Sequence, residues 1–449
     1  MERRDFLKTS AIGAAGILLP AGMARAAAMP APAAAKAKKS ANDKVTLGFI
    51  GLGQQAMYLL NGFMSMDDVR VVAGCDVYDI KRDRFVRRVT DFYTKKGEKK
   101  VKVDVYEDYQ DVLARPDIDA VVIATPDHQH AIIAIAACKA GKDVYLEKPL
   151  TLTVYEGQQL CKAVRKYNRI LQVGSQQRSS EEFIHAANLA REGELGKIER
   201  VKVYVGRNNV NPTSPAPAPN NLPRMEVPAG LNWDKWLGPL PTSVHYHSDF
   251  DPIITPDKDE QLWGAWRWYK VSGGGLMTDW GAHMFDIAQW AIGKDGSGPV
   301  EIIPPGYSYY DHLTYKYDNG IIMTEEPYDG GQQGVMIYGE NGWIKVARGK
   351  FAASDKRWDM RSAQADDSVP YETKVGHHRA FIEAILSRID PNVPVEVGHS
   401  SCNVCNIGNI AMELGRPVVW NPIVQKFMKD PEATKLLHYD YRPGYSLDV

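Results

Sequence analysis

A glycine-rich turn between an apolar strand and a helix most constrains what this chain can fold into. The segment "KVTLGFIGLGQQAM" runs from a strand, Val45 to Ile50, through Gly51-x-Gly53-x-x-Ala56 into a helix. In this setting the first glycine permits a tight turn, the second lets the backbone approach a pyrophosphate, and the small third residue allows close helix–strand packing. The free N–H groups at the start of the helix favour the binding of a phosphate group. The pattern predicts a dinucleotide-binding site.

A second strand, "VRVVAGCDV", brings an acidic residue to the position such a site needs. Asp76 lies 25 residues after Gly51. A carboxylate there can accept the ribose hydroxyls and repels a 2′-phosphate, which favours NAD over NADP. Lys81 and Arg82 lie close by and keep NADP open as an alternative. A turn or helix cap is the alternative role for Asp76.

Strands and helices go on alternating up to about residue 175. The segments that carry this alternation are "VDVYEDYQDVLARPDI", "DAVVIATP", "HAIIAIAACKAG", "KDVYLEKP", "TVYEGQQLCKAVRKYN" and "RILQVGSQ". Such alternation predicts an α/β domain over residues 44–174, with a doubly wound parallel sheet of the Rossmann type. Ligands bind beyond the carboxyl ends of such strands, where "TPDHQH" and "EKP" fall.

Residues 175–449 have a different pattern and predict a second, α+β domain. "IERVKVYVG" reads as a strand, and two hairpins are expected about Asp318-Asn319-Gly320 and Glu340-Asn341-Gly342. Consecutive hairpins predict a mostly antiparallel sheet.

The N-terminus has the three parts of an export signal over residues 1–26. Arg3 and Arg4 are followed by a short apolar core and by Ala24-Arg25-Ala26, a small-x-small cleavage site. "RRDFLK" resembles the twin-arginine motif, although an ordinary Sec signal is the alternative. A low-complexity Ala/Pro/Lys linker follows over residues 27–43. We therefore expect the twin-arginine machinery to export the folded protein to the periplasm.

Composition excludes several other partners. The net charge of -1 provides no global field for nucleic acid or anionic membrane. No stretch of eighteen apolar residues predicts a membrane span, so we expect no stable membrane association. Cys402 and Cys405 form a CxxC without a second metal-binding pair, so we interpret them as structural, with a disulfide between them as an alternative, and expect no metal.

Four motifs, taken together and in order, resemble the Gfo/Idh/MocA family of sugar and cyclitol oxidoreductases. The first is the glycine turn with Asp76, and the second is "ATPDHQH", which is similar to the family's TPxxxH. The third is "LEKPL", which contains Lys148 in the family's EKP. The fourth is Asp279-x-x-x-His283 after a run of glycines. The resemblance covers most of residues 45–420.

The resemblance implies a catalytic set of Lys148, Asp279 and His283. Asp279 and His283 would share one helix face, where Asp279 could orient His283 and raise its basicity. A base must remove the hydroxyl proton while hydride leaves the carbon, and Lys148 supplies charge where alkoxide develops. A structural, buried His283 is the alternative. The resemblance also implies a cofactor site made by Gly51, Gly53, Ala56, Asp76, Thr125, Pro126, His130, Glu147 and Lys148.

Several further assignments have structural alternatives of equal or greater weight. His130 either contacts the ligand or caps its loop. Arg178 either contacts substrate or cofactor or forms a surface salt bridge. Trp263, Trp266 or Tyr269 lines a sugar site, although most such aromatic residues form core. The Pro-rich segment 211–223 is interpreted as an arm or lid.

The sequence therefore predicts an exported NAD(P)-dependent oxidoreductase that acts on a hydroxyl of a sugar, cyclitol or glycoside and keeps its cofactor tightly bound. The family's open-faced sheet implies a homo-oligomer. An NAD-dependent, redox-neutral glycosidase is one alternative. A sugar-binding protein without catalysis is the other.

Overall fold

The structure, a computed structural model, describes residues 44–206, 222–248, 264–328, 332–360 and 376–449. The predicted export signal and linker, Trp263 and residues 211–221 of the Pro-rich segment lie outside these ranges. Within them, no helix combines the length and the apolar character that crossing a membrane requires.

Within the continuously described stretch 44–206, six parallel strands form the first sheet in the order β3-β2-β1-β4-β5-β6. Their bounds are β1 Val45–Ile50, β2 Val69–Cys75, β3 Asp104–Tyr106, β4 Ala120–Ile123, β5 Asp143–Leu146 and β6 Leu171–Val173. The chain order reverses between β1 and β4, and ligands of doubly wound sheets bind at such a switch point. The predicted Rossmann-type sheet is confirmed.

The helices that connect these strands cover the sheet. They are α1 Gln54–Met64, α2 Asp79–Lys95, α3 Tyr109–Ala114, α4 Asp127–Lys139 and α5 Val154–Lys166. Helix α5 begins with a capping box, in which Thr153 accepts from the Glu156 backbone and Glu156 accepts from the Thr153 backbone. After a polar first turn, helix α4 is apolar on every side, and it is buried along nearly its whole length because the C-terminal part of the chain covers it as well.

The described residues from Ile198 onward contribute nine strands to a second sheet, in the order β13-β12-β11-β7-β10-β9-β8-β14-β15. Among them only β7 and β10 pair in parallel, so the predicted mostly antiparallel sheet is confirmed. The bounds are β7 Ile198–Tyr204, β8 Glu301–Ile303, β9 Leu313–Lys316, β10 Ile322–Glu325, β11 Gly334–Gly339, β12 Gly342–Ala347, β13 Lys350–Ala353, β14 Val418–Asn421 and β15 Lys426–Phe427. Both predicted hairpins are present, as β9–β10 and β11–β12.

Several helices of the second half of the chain, but not all of them, pack on the second sheet. The helices of the second half are α6 Glu181–Arg191, α7 Trp233–Leu237, α8 Leu276–Asp279, α9 Gly281–Ala291, α10 His377–Ser387, α11 Val395–Leu414 and α12 Pro431–Lys435. Alternate strand residues such as Val201, Val203 and Ile337 are fully buried against Phe285 and Ile287 of α9. The helix that carries His283 is therefore fixed by core packing.

The C-terminal part of the chain returns to the first sheet. Phe381 of α10 packs edge-on against Phe63 of α1, with ring centroids 6.2 Å apart. Leu447, near the end of the chain, is buried in the core that includes α4. Cys402 and Cys405 are buried free thiols inside α11, and burial raises the pKa of both.

Candidate active site

Two adjoining clefts open above the carboxyl ends of the first sheet. The first cleft has a volume of about 610 Å³ and is lined by the glycine turn, Asp76 and the loop after β4. The second cleft, of about 1110 Å³, lies between the first sheet and the second half of the chain. Of the described side chains, four line both clefts: Gln55, Glu147, Lys148 and Asp279. The junction between the clefts is therefore polar and charged.

The glycine turn has the geometry that its sequence predicts. Gly51 has a φ of +79°, and a Cβ there would lie 2.7 Å from the backbone nitrogen of Thr125. Gly53 faces open space, with no atom of the described residues within 4 Å of a Cβ built on it. Ala56 is fully buried beneath the turn. A ligand can thus approach the backbone at Gly53 and the start of α1.

Asp76 lies at the end of β2 and lines the first cleft. Its two carboxylate oxygens accept from the backbone nitrogens of Leu52 at 2.7 Å and Tyr78 at 3.0 Å. These bonds fix the carboxylate and leave each oxygen a second lone pair. Both roles considered for Asp76, turn cap and cleft residue, are therefore compatible. Lys81 lines the same cleft, whereas Arg82 donates to the Asp76 carbonyl at 2.5 Å.

The "TPDHQH" segment, which ends the loop after β4 and forms the first turn of α4, has a cleft face and a buried face. Thr125 and Pro126 line the first cleft. His130 is buried behind the loop, with ring nitrogens 2.8 Å from the carbonyl oxygen of Pro149 and 3.0 Å from that of Thr125. Burial lowers the pKa of His130 to about 4. Of the two roles considered, the geometry favours bracing of the loop over ligand contact.

Asp127 is a candidate that sequence reasoning missed. Its side chain lines the first cleft at the start of α4. Burial raises the pKa of Asp127 to about 8, against the lowering effect of the Arg267 and Lys148 charges. A protonated, hydrogen-donating carboxyl group at neutral pH follows from this environment, and perturbed carboxyl groups in clefts are often functional.

Glu147 and Lys148 occupy the junction of the clefts. Glu147 accepts from Gln55 at 2.8 Å and Gln176 at 3.1 Å, and burial raises its pKa. Lys148 Nζ donates to the carboxylate of Asp279 at 2.8 Å and to the Asp279 carbonyl at 2.9 Å. The ammonium group is thus held in place between the two clefts.

The expected contact between Asp279 and His283 is not formed, and this part of the prediction is wrong. Among the described residues, Asp279 pairs with Lys148 and lies 3.6 Å from Arg267. Burial alone would raise the pKa of Asp279, but these two cations hold it below its usual range. Helix α8 ends at Asp279, and the His283 N–H bonds to the Trp280 carbonyl instead of continuing the regular ladder. Two cations attract a carboxylate more strongly than a neutral imidazole does.

His283 is instead held by Gln177, which joins it to Arg348. With the Gln177 amide assigned from its hydrogen-bond network, its nitrogen donates to His283 Nδ1, and its oxygen accepts from Arg348 at 3.1 and 3.3 Å. Burial and the charges of Lys148 and Arg348 lower the pKa of His283 well below its ordinary value. His283 is therefore uncharged at neutral pH.

The remaining predicted substrate residues separate into two groups. Trp266 lines the first cleft and Tyr269 the second. Arg178 lines neither cleft. It is buried and ion-paired with Asp286 at 2.7 Å and Asp295 at 2.7 Å. The geometry therefore favours a salt bridge for Arg178, although a buried one and not one on the surface.

Two sequence models account for most of the chain. A model described as "Oxidoreductase family, NAD-binding Rossmann fold" matches residues 45–175. A second, "Oxidoreductase family, C-terminal alpha/beta domain", matches residues 216–447, and both belong to Gfo/Idh/MocA. The chain belongs to the Gfo/Idh/MocA oxidoreductase family.

The residues that line the first cleft are suited to bind NAD, the cofactor of this family. Gly53 leaves space for a phosphate beside the start of α1, and Asp76 is placed for a ribose. The buried hydroxyl of Thr125 has no hydrogen-bond partner among the described residues. Buried polar groups normally have partners, so an unpaired hydroxyl in the cleft wall is consistent with a bound ligand.

The chain is similar to part of several curated relatives. A glycosyl hydrolase family 109 protein of Shewanella pealeana is 33% identical over 207 residues, and an alpha-N-acetylgalactosaminidase of Shewanella oneidensis is 29% identical over 214 residues. Each match covers 44% of both chains, so the chain spans less than half the length of the curated relatives it matches.

Two solved structures resemble the fold as a whole. A WlbA dehydrogenase from Chromobacterium violaceum, in complex with NADH and UDP-GlcNAcA, is 18% identical with a TM-score of 0.59, and 85% of this chain and 97% of that one are covered. A scyllo-inositol dehydrogenase from Lactobacillus casei, with NAD(H) and scyllo-inositol, is 17% identical with a TM-score of 0.54, covering 84% and 99%. At this identity the likeness concerns the fold alone.

Proposed function

We propose that the protein is an exported, NAD-dependent oxidoreductase that transfers hydride to and from a hydroxyl-bearing carbon of a sugar, cyclitol or glycoside. The observation that carries this is the convergence of Lys148 and Asp279 at the junction of the two clefts, with His283 opening into the second cleft. A substrate in the second cleft would lie against these groups and beside the cofactor cleft.

Each of the three side chains has a task in alcohol oxidation. NAD, when bound, supplies the hydride acceptor. His283 is uncharged and so able to take the hydroxyl proton, but its low pKa makes it a weak base. The fixed charge of Lys148 compensates by lowering the pKa of the nearby hydroxyl and stabilising the developing alkoxide. Asp279 positions that ammonium group.

The walls of the second cleft suit a ring with apolar faces. Trp268, Tyr269 and Trp280 line it, together with Tyr58. Binding pockets for small molecules commonly combine aromatic walls with a few polar groups that fix orientation. This combination supports a carbohydrate or cyclitol substrate. We also propose export by the twin-arginine route, from the N-terminal pattern, and a homo-oligomer, from the family resemblance.

A redox-neutral glycosidase is the second candidate, and the curated relatives favour it because they are named as glycosyl hydrolases. Such an enzyme oxidises its sugar transiently, eliminates the aglycone, adds water and then reduces the sugar again. The same Lys148, Asp279 and His283 would serve the oxidation and the final reduction.

Product analysis with the exported protein separates the candidates. A persistent keto-sugar indicates a dehydrogenase, whereas a released aglycone indicates a glycosidase. His283→Ala should slow hydride transfer roughly 10²–10⁴-fold while bound cofactor is retained. His312→Ala is the matched control and should leave the rate unchanged, because His312 directly precedes β9 and lies 3.7 Å from Glu326. Near-native hydride transfer in His283→Ala, or binding of sugars without any turnover, would contradict the proposal.

A further inference from the structure

The second cleft contains a guanidinium group that forms no direct ion pair with a carboxylate of the described residues. Arg348 lies in the turn between β12 and β13 and lines the cleft beside His283 and Trp280. Among the described residues, no carboxylate oxygen lies within the 4.0 Å that defines an ion pair with it. Part of its surface is exposed to solvent, and the rest packs against Trp280 and Gln177.

Two contacts hold this guanidinium in one orientation, and a third fixes the turn that carries it. It stacks over the Trp280 ring, with its central carbon 4.5 Å from the ring centroid. Gln177 accepts from two of its nitrogens. The adjacent Gly349 N–H donates to Glu182 at 2.8 Å, which ties the turn to helix α6. A stacked, preoriented guanidinium presents its remaining donors as a fork that matches a planar oxyanion.

The nearby acidic groups already have other partners. Asp279 is paired with Lys148 and lies 3.6 Å from Arg267, and Glu147 accepts from Gln55 and Gln176. Burial lowers the pKa of Arg348, while Asp279 and Glu147 oppose this effect from a distance. A charged group that is partly desolvated without a paired counter-ion gains most when a ligand supplies the opposite charge.

From this geometry we propose that Arg348 is the receptor for an oxyanion carried by the sugar, so that the substrate is an anionic sugar such as a uronic acid. Gln177 bridges Arg348 and His283, so we place the anionic group and the reacting hydroxyl in one monosaccharide unit. This assignment rests on the proposed function, because it places the sugar in the second cleft.

Binding measurements with the NAD-loaded protein test the assignment. Titration calorimetry would compare D-glucuronate, D-galacturonate and D-mannuronate with the matching neutral hexoses and with the hexose 6-sulfates. We expect at least one anionic sugar to bind about 10-fold to 100-fold more tightly than its neutral counterpart. Preference for the uronate over the 6-sulfate identifies a carboxylate, and the reverse identifies a sulfate ester. Raising the salt concentration should weaken only the binding of the anionic sugars.

Variants test whether the preference for anionic sugars depends on the side chain of Arg348. Arg348→Gln should abolish it, and Arg348→Lys should keep part of it, because lysine retains charge but not the planar fork. Arg357→Gln is the control, since Arg357 is exposed and paired with Asp355 on a neighbouring segment. Equal binding of neutral and anionic sugars by the native protein, or an unchanged preference in Arg348→Gln, would overturn the assignment.

Measurements on the same samples distinguish the proposed function from the proposed role of Arg348. Each sugar is mixed with the NAD-loaded protein, and the reduction of bound NAD is measured by absorbance. This measurement tests the proposed function independently of the role of Arg348. Oxidation of neutral sugars without anion preference supports the proposed function and overturns the role of Arg348. Tight, Arg348-dependent uronate binding without any hydride transfer supports the role of Arg348 and contradicts the oxidoreductase.

Discussion

We expect the carboxyl group of Asp127 to make cofactor binding depend on pH. Its pKa of about 8 leaves it neutral at pH 7 and ionised at pH 9. NADH carries two negative phosphates, so ionisation adds repulsion within the same cleft. We expect the NADH affinity to fall by up to about tenfold between pH 7 and pH 9, equivalent to about 1.4 kcal/mol.

Asp127→Asn is the matched variant, because the amide keeps a hydrogen-bond donor and cannot ionise. Its NADH affinity, measured by nucleotide fluorescence, should stay flat across this range. Arg267, Lys148, Asp279 and Glu156 contribute to the environment of Asp127 and remain in the variant. Parallel pH profiles for native protein and variant would show that another group is responsible.

Asp76 is expected to control the choice between the two nicotinamide nucleotides. Asp76→Ala should weaken NAD binding and reduce discrimination against NADP, because the carboxylate that accepts ribose hydroxyls and repels a 2′-phosphate is gone. The measurement is the ratio of the two dissociation constants. Asp76→Asn removes the charge but keeps one acceptor oxygen, so it can preserve only one of the two bonds from Leu52 and Tyr78. A native preference for NADP would contradict this role and point to Lys81.

At the scale of residues, the sequence could predict what short motifs encode. The positions of Gly51 and Lys148 follow from local patterns. Arg348 and Gln177 could not be found this way, since only the folding of distant segments brings them beside His283. The predicted Asp279–His283 pair failed for a related reason: helical spacing ignored Lys148 and Arg267, which come from other parts of the chain.

At the scale of elements, the segment after α12 forms one wall of the first cleft. Gly444, Tyr445 and Ser446 line it, facing residues of α4. Arg442 anchors the segment by donating to the Gly238 carbonyl at 2.6 Å and to Asp234 at 2.5 Å. A wall built from an anchored segment can restrict the escape of a ligand.

Tyr445→Ala should therefore release NAD(H) faster. Loss of an aromatic contact worth about 1 kcal/mol should increase the dissociation rate about fivefold. Stopped-flow displacement of bound NADH measures that rate. Tyr309→Ala is the control, because Tyr309 is 80% exposed in the loop between β8 and β9. Equal release rates for the two variants would exclude Tyr445 from retention.

Secondary structure was easier to predict than the partners of each element. Alternating apolar residues and Asn-Gly turns predicted the β9–β10 and β11–β12 hairpins. Periodicity could not predict that α10 packs on α1, or that Leu447 enters the core beneath α4. An apolar helix face shows that a surface is buried, but not which sheet covers it.

At the scale of the whole molecule, the export pattern and the active site impose a common requirement. Residues 1–26 predict export in the folded state, and free NAD should be scarce outside the cytoplasm. An enzyme working there has to carry its nucleotide with it. The first cleft, walled by the segment around Tyr445, offers a means of keeping it.

We therefore expect NAD(H) to copurify with the exported protein and to support turnover without added nucleotide. The cofactor must then be regenerated in place, either by reduction of a second sugar or by oxidation and reduction of one substrate within a cycle. Mass and absorbance of nucleotide released on denaturation measure the first expectation, and turnover in NAD-free buffer measures the second. Replacing Arg3 and Arg4 with lysine should keep the loaded protein in the cytoplasm. An exported protein with an empty site, active only while NAD is supplied, would refute cofactor retention, because no internal cycle can run without a resident hydride carrier.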